Sequence, residues 1–217
     1  MPDKNHASLM DAIYRSQRHI YDVSRKYYLL GRDAVITDLG AQEGERVLEV
    51  GCGTGRNLIK AAKRYPKTHF FGFDISEEML RTARKKVAAA GLSDRITLSR
   101  GDATDFSPQA LFDVENFDHI FYSYTLSMIP PWEMAIEQGI KALSSGGQIH
   151  IVDFGQQEKL PGWFRTVLLK WLALFHVEPR KTLNDTVNEL AERYGLNVDF
   201  VSRYKGYTWN LRLSSIS

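Results

Sequence analysis

Cysteine is nearly absent: Cys52 is the single one in 217 residues. One thiol cannot close an intrachain disulfide, which points to a reducing compartment. Long apolar runs are missing too. No stretch of about 18 apolar residues occurs, so no segment has the length to span a bilayer as a helix. Residues 1–8 are polar and lack the apolar core of a secretory leader, which predicts a cytoplasmic chain. Nor is there an excess of either charge. The formal net charge of +2 is too small to argue for nucleic acid, and no pattern of nucleic-acid recognition is present. Metal-ligand spacing, a trustworthy Ser-His-Asp order, internal repeats and low-complexity tracts are also lacking, so no metal is expected.

What is present is an ordinary globular composition. Hydrophobic residues make up 43% and charged residues 25%, and the length suits one domain, 1–217, with a full core. The most informative stretch is Arg46-Val47-Leu48-Glu49-Val50-Gly51-Cys52-Gly53-Thr54-Gly55-Arg56-Asn57. A short apolar run meets three glycines at alternate positions and then a helix-like segment, which reads as strand, tight turn, helix. Glycines let the turn fold closely and let a ligand lie against bare backbone. Cys52 reads as a small side chain that fits the crowded turn, not as a nucleophile. The next apolar run, His69-Phe70-Phe71-Gly72-Phe73, ends in Asp74, where an acid at the tip of a second strand can bind ribose hydroxyls. Two details argue against a nicotinamide dinucleotide. The spacing is G-x-G-x-G, and Glu49 places a carboxylate where a pyrophosphate would want positive potential. A sulfonium ligand with an ammonium end tolerates that acid well.

The remaining pattern alternates strands and helices. Strands are expected over 47–50, 68–73, 96–100, 117–123 and 148–153, and helices over 57–65, 77–90 and 132–143. Ser76 reads as a helix N-cap with Glu77 and Glu78 in the first turn, and Ser145-Gly146-Gly147 as a turn into strand five. A helix over 183–194, stopped by Gly195, precedes a final strand pair over 198–204 and 207–213. Regular βα alternation predicts an α/β fold: a doubly wound, mostly parallel, seven-stranded sheet with helices on both faces. Ligands then bind at the carboxyl ends of the strands, where Glu49, Asp74, Asp102 and Ser123 fall. Residues 1–40 read as an N-terminal helical cap, 41–154 as the ligand-binding core, 155–182 as an amphipathic helical segment, and 183–217 as a C-terminal helix and strand pair.

Two segments are unusual. Residues 9–30 interleave Tyr14, Tyr21, Tyr27 and Tyr28 with Arg15, Arg18, Arg25 and Lys26, and Gly31-Arg32-Asp33 opens a helix through Leu39. This region either caps the ligand crevice or is a solvated basic face that packs its tyrosines on the core. Residues 161–176 are too short and too charged to span a membrane, yet more aromatic than a surface helix. They either form a buried crossover helix or lie in a lipid headgroup layer beside Arg165, Lys170, Arg180 and Lys181. His150 sits within a strand and reads as structural.

Gly51, Gly53 and Gly55 with Glu49, Asp74-Ile75-Ser76 and Gly101-Asp102-Ala103 resemble the class I S-adenosylmethionine-dependent methyltransferases, with their Rossmann-like sheet. Within that family, Tyr14-Arg15-x-Gln17-Arg18-His19-Ile20-Tyr21-Asp22 and Arg25-Lys26-Tyr27-Tyr28-Leu29-Leu30-Gly31-Arg32-Asp33 look like the diacylglyceryl-homoserine N-methyltransferases of betaine-lipid synthesis. The resemblance implies an enzyme with S-adenosyl-L-methionine as cofactor and up to three transfers to the amine of a homoserine lipid headgroup. It implies that Glu49 holds the ammonium end and that Gly51, Gly53, Gly55 and Asn57 bring backbone to the amino-acid and ribose part. Asp74 would take both ribose hydroxyls, Ile75 and Met79 would flank the adenine, and Asp102 and Ala103 would read its edge, with Ser123 at the same site. Tyr21 and Arg32 would reach the methionine end, although Arg32 also reads as a surface ion pair with Asp33 or Asp38, and Asp102 as a turn cap. Tyr14, His19 and Tyr21 are candidates for proton relay from the amine. Arg18 and Arg25 are candidates for the homoserine carboxylate, and Tyr27 and Tyr124 for the growing quaternary ammonium. The expected partner is a lipid or other small amine-bearing substrate, with peripheral membrane contact. A different acceptor, such as phosphatidylethanolamine or a quinone ring, and a non-catalytic membrane-surface module are the competing readings.

Overall fold

The computed structural model describes residues 28–215. Apolar β-branched and aromatic runs form strands, and the intervening runs with helical periodicity cross between them. In chain order these are α1 (Arg32–Asp38), β1 (Arg46–Val50), α2 (Arg56–Arg64), β2 (His69–Asp74), α3 (Glu77–Ala89), β3 (Ile96–Arg100), α4 (Pro108–Phe112), β4 (Phe117–Ser123), α5 (Trp132–Lys141), β5 (Leu143–Phe154), α6 (Gly162–Ala173), α7 (Leu183–Tyr194), β6 (Leu196–Arg203) and β7 (Thr208–Ser215). A 3₁₀ turn, Leu126–Met128, follows β4. The strands form one 7-stranded sheet in the order β3-β2-β1-β4-β5-β7-β6. β1 to β5 run parallel, and β7 is antiparallel to both β5 and β6. This is the Rossmann-like architecture expected from the alternation.

Side-chain alternation along each strand sorts the core into two layers. Leu48, Val50, Phe71, Phe73, Ile120 and Tyr122 face α5 and α7. Their neighbours Val47, Phe70, Phe121 and Val152 face α1, α2, α3 and α6. Buried on both faces, the central strands read as near-continuous hydrophobic runs. Gly72 allows the close approach of α2 to β2, because a Cβ there would sit 2.5 Å from Leu58 Cδ1. Ser76 caps α3 by accepting from the Met79 backbone N–H at 3.4 Å, and Gly195 ends α7 in the left-handed region, with φ 65°.

Three departures from the sequence reading have physical causes. Ser145-Gly146-Gly147 is not a turn before strand five: β5 begins at Leu143 and runs through it, with a register shift against β4 between Phe117 and His119. Gly146 at φ 80° absorbs that irregularity. The short α4 lies in a stretch too brief to show a period, although Ser107 caps it by accepting from the Ala110 N–H. The Leu126–Met128 turn is held by tertiary contacts described below. As for α6, it packs Leu168 and Leu172 into the core while leaving Trp163, Val167 and, just past its end, Leu174 exposed, so it is a crossover helix with a second, outward apolar stripe.

Leu48 is fully buried and pairs in register with Phe71 and Ile120. Leu48→Ala is expected to destabilise the fold by about 2–5 kcal/mol, through lost burial plus a cavity. Urea unfolding checks this as a lower midpoint at unchanged slope.

Candidate active site

Parallel strands end at one edge of a sheet, so their terminal side chains converge although they are far apart in sequence. Glu49 pairs with Gly72 and Phe121, which places it one residue before the end of β1 and level with residues two before the ends of β2 and β4. The glycine turn follows at once. Gly51, Gly53 and Gly55 have φ of 69°, 53° and 74°, a region where a side chain is strained. Gly51 is doubly required, since a Cβ there would lie 2.3 Å from Thr125 Cγ2. That threonine donates from Oγ1 to the Val50 carbonyl at 3.1 Å, which ties the end of β1 to the loop after β4.

Asp74 organises the turn from β2. Its Oδ2 accepts from the Gly53 N–H at 2.8 Å and its Oδ1 from the Ser76 N–H at 2.9 Å. One carboxylate thus joins the glycine turn to the start of α3. Backbone bonds also tie Cys52 N–H to the Phe73 carbonyl at 2.9 Å and Gly101 N–H to the Asp74 carbonyl at 3.2 Å, which brings the loop after β3 alongside. Cys52 is buried beside Gly72, and burial pushes its thiol well above the ordinary range; it packs the turn as expected.

Glu49 is the most unusual group. It is 1% exposed. Oε1 accepts from Asn57 Nδ2 at 2.7 Å, whereas Oε2 is buried without a hydrogen-bond partner among the described residues. Burial pushes its carboxyl up to about 8, opposed by the Asn57 bond and the Arg32 charge, with the Asp74 charge adding to the rise. An acid left with one idle oxygen out of water is costly unless something cationic or hydrogen-bonding meets it. Ser123, at the tip of β4, likewise has a buried Oγ without a partner among the described residues.

Arg32 is not a surface ion pair. It is 9% exposed, donates from Nε to the Leu29 carbonyl at 3.3 Å and acts electrostatically on Glu49. Asp33 is held instead by Arg56 and Lys60, and Asp38 by Arg203. Asp102 does cap its own turn, accepting at Oδ1 from Thr104 N–H and Oγ1 at 2.9 and 2.8 Å, with Ala103 buried beside it. Ile75 is half-buried, and its carbonyl accepts from Arg100 Nε. Met79 is 4% exposed, with Met128 and Phe175 packed against it.

Tyr124 corrects the sequence reading. It is 2% exposed, its ring meets Phe154 edge-on, and its hydroxyl lies 2.5 Å from the Leu30 carbonyl and 2.9 Å from Thr208 Oγ1. Its face is therefore spent on core packing and is not offered to a substrate cation. His150 is structural as read: burial, then the neighbouring His119 and Arg212, push it down to about 3. Tyr14, Arg18, His19, Tyr21, Arg25 and Tyr27 lie outside the described residues.

Sequence reasoning missed the brace behind Ser123. Asp153, 1% exposed at the end of β5, accepts from the Ser127 N–H at 3.1 Å. Arg180 donates from Nε and Nη2 to the carbonyls of Leu126 and Ile129 at 3.1 and 2.7 Å. Burial pushes Asp153 up to about 6, against its hydrogen bonds and the Arg180 charge. The available signal was an acid ending an apolar strand, the same one that singled out Asp74. Among the described residues no His, Cys, Asp and Glu cluster could hold a metal ion.

A family model described as a methyltransferase domain matches residues 41–194. The chain is similar to the demethylmenaquinone methyltransferase of Listeria monocytogenes serotype 4a, with 30% identity over 142 residues, which is 65% of this chain and 57% of that protein. It thus spans less than two thirds of that relative. It is also similar to the phosphatidylethanolamine N-methyltransferase of Cereibacter sphaeroides, with 34% identity over 155 residues, 70% of this chain and 72% of that one. Among solved structures, an S-adenosylmethionine-dependent methyltransferase of Aquifex aeolicus superposes with TM-score 0.64 at 21% identity, over 88% of this chain and 93% of that one. A Haemonchus contortus phosphoethanolamine N-methyltransferase 2, bound to phosphomonomethylethanolamine and S-adenosylhomocysteine, gives 0.65 at 18%, over 86% and 52%. At these identities the structures share the fold.

Glu49 makes stability depend on pH in a definite direction. Its folded value of about 8 lies above the ordinary 4.5, so the stability it permits is full below about pH 4.5 and falls as pH rises through 8. Glu49→Gln keeps an acceptor for Asn57 and removes the titration. The variant should therefore match the parent near pH 4.5 and melt at higher temperature than it by pH 8–9. A melting-temperature difference that does not change with pH would contradict this environment for Glu49.

Proposed function

This chain belongs to the methyltransferase-domain family, and on that footing we propose that it transfers methyl groups from S-adenosylmethionine to the amine of a diacylglyceryl-homoserine headgroup. The observation that carries the cofactor assignment is the idle, buried Oε2 of Glu49. It sits at the carboxyl edge of the sheet beside a turn of bare backbone, with a second carboxylate, Asp74, across that turn. An ammonium group supplies the positive charge and the donors that Glu49 otherwise lacks. When bound, the cofactor supplies a methyl group on a sulfonium, an excellent leaving group. The protein then has mainly to position an unprotonated amine in line with it.

The residues divide that positioning. Glu49 takes the ammonium end and Arg32, close enough to act on Glu49, pairs with the carboxylate of the same amino-acid part. Asp74, fixed at the tip of β2 by the Gly53 and Ser76 N–H groups, takes the ribose hydroxyls. Ile75 and Met79 flank the adenine, with Asp102 and Ala103 at its edge. Ser123, at the tip of β4, offers to the same ligand a hydroxyl that has no partner among the described residues. Tyr14, His19 and Tyr21 relay the amine proton, and Arg18 and Arg25 meet the headgroup carboxylate.

An amine acceptor on a lipid is supported by the phosphatidylethanolamine N-methyltransferase relative and by the resemblance of residues 14–33 to the homoserine-lipid enzymes. The demethylmenaquinone relatives favour a quinone ring as the second reading. Both acceptors carry long hydrocarbon tails. Peripheral contact with a membrane fits α6, where Trp163 is 70%, Val167 60% and Leu174 70% exposed beside exposed Arg165 and Lys170. No helix among the described residues is long and apolar enough to cross a membrane.

Two outcomes follow. Because free Glu49 holds a proton up to about pH 8, binding an ammonium there releases one. Cofactor affinity should rise up to about tenfold per pH unit between pH 6 and 8, and calorimetry in buffers of different ionisation heat should register the proton. Asp74→Ala should weaken binding by more than about tenfold; pH-independent binding that survives both Asp74→Ala and Glu49→Gln would overturn the site. For the acceptor, labelled cofactor is incubated with homoserine lipid, phosphatidylethanolamine and demethylmenaquinone, and products are weighed. Steps of about 14 mass units, up to three, on the homoserine lipid alone are expected; methylation confined to the quinone would transfer the assignment to it.

A further inference from the structure

A second feature lies beside the Tyr28–Leu30 segment that precedes α1. A cavity of about 680 Å³ opens between α6, the Tyr28–Leu30 segment and the β6–β7 turn. Its walls are Leu30, Phe164, Leu168, Trp171, Tyr204 and Tyr207 among others, and no charged or amide side chain lines it. Volumes of 300–1,000 Å³ are those of ligand sites, but such sites carry a few convergent polar groups. Here tyrosine hydroxyls and the Trp171 indole N–H are the polar side-chain atoms that the described residues bring to the wall. That lining suits a ligand part with nothing to hydrogen-bond.

From this composition and placement we propose that the cavity seats one acyl chain of the acceptor lipid. The proposal rests on the reading that the acceptor is a lipid. Two observations say how the chain arrives and where it leads. At the outer end, Val167 both lines the cavity and is 60% exposed, one helical turn from Trp163 at 70%, and Tyr204 on the opposite wall is 53% exposed. An apolar path therefore runs from the outward stripe of α6 into the cavity, so a chain can enter from a lipid layer with little of it crossing water. Exposed Lys159, Lys170 and Lys205 adjoin Leu160, Trp171 and Tyr204 of the wall in sequence, suited to the phosphate level of such a layer. At the inner end, Leu30 is anchored to Tyr124, the residue after Ser123, and stands two residues before Arg32. The cavity and the proposed cofactor site thus share one short segment, so a lipid held by its chain presents its headgroup toward the strand tips. Each methylene buried stabilises the complex, which makes chain length a determinant of acceptor choice.

The test needs no turnover. A monoacylglycerol brominated at mid-chain is titrated into the full chain below its aggregation concentration, and tryptophan fluorescence is followed. Saturable quenching is expected, reversed by the unbrominated monoacylglycerol of the same length. Trp171→Phe should abolish the saturable part, while Trp163→Ala, outside the cavity, should retain it. Filling the space with Leu160→Phe and Val167→Phe together should weaken the interaction at least tenfold and leave S-adenosylmethionine binding unchanged. Quenching that grows linearly with probe and is not reversed, or that persists in Trp171→Phe, would mean surface partition only and overturn the proposal. So would its absence from the full chain, with the space closed by another occupant such as residues 1–27. Loss of cofactor binding with the quenching intact would instead strike the proposed function.

Discussion

The site depends on an acid kept out of water with one of its two oxygens left without a hydrogen-bond partner among the described residues. Glu49 is flanked on both sides by paired strands, and Asn57, in the first turn of α2, holds one of its oxygens. Desolvating an acid costs several kcal/mol, and here the nearby Arg32 charge offsets part of that cost. The arrangement is tolerated because the central strands of a seven-stranded sheet cannot shift to relieve it. It is the kind of perturbed, incompletely satisfied group that clusters at functional sites.

Everything around Glu49 serves to fix the backbone beside it. Asp74 spends both oxygens on N–H groups of the glycine turn and of α3. Thr125 ties the loop after β4 to the end of β1, and Asp153 with Arg180 holds the turn that follows. These bonds come from four different strand ends. Preorganisation of this kind matters for a reaction whose chemistry is supplied mostly by the leaving group, since alignment is then the main contribution of the protein.

The helix after β5 gives the molecule a second character. An ordinary crossover helix has one apolar stripe, and α6 has two. The inner one closes the core around Leu168 and Leu172, and the outer one continues into the wall of an apolar cavity. Aromatic contacts of Tyr28 with Phe154 and Trp171 knit that helix to the segment preceding Arg32. Arg32, which acts on Glu49, and the wall of an apolar cavity therefore lie on a single stretch of chain.

By itself the sequence determined the order and direction of the elements and the acids at the tips of the strands. Period-two and period-3.6 patterns, a glycine turn and capping residues are local signals, legible wherever a run is long enough; the Ser76 cap and the Gly195 stop sit where they were read. Short or irregular pieces, such as α4 and the bulged start of β5, carry no such period and were missed. Only the tertiary structure decided which polar groups are buried. It withdrew Tyr124 from the site by tying its hydroxyl to Leu30, decided between the two readings of Arg32 by burying it near Glu49, and brought Asp153 and Arg180 together on the turn after β4. Burial and partnership are set by residues distant in sequence, and no spacing along one strand encodes which side chain from another will reach it.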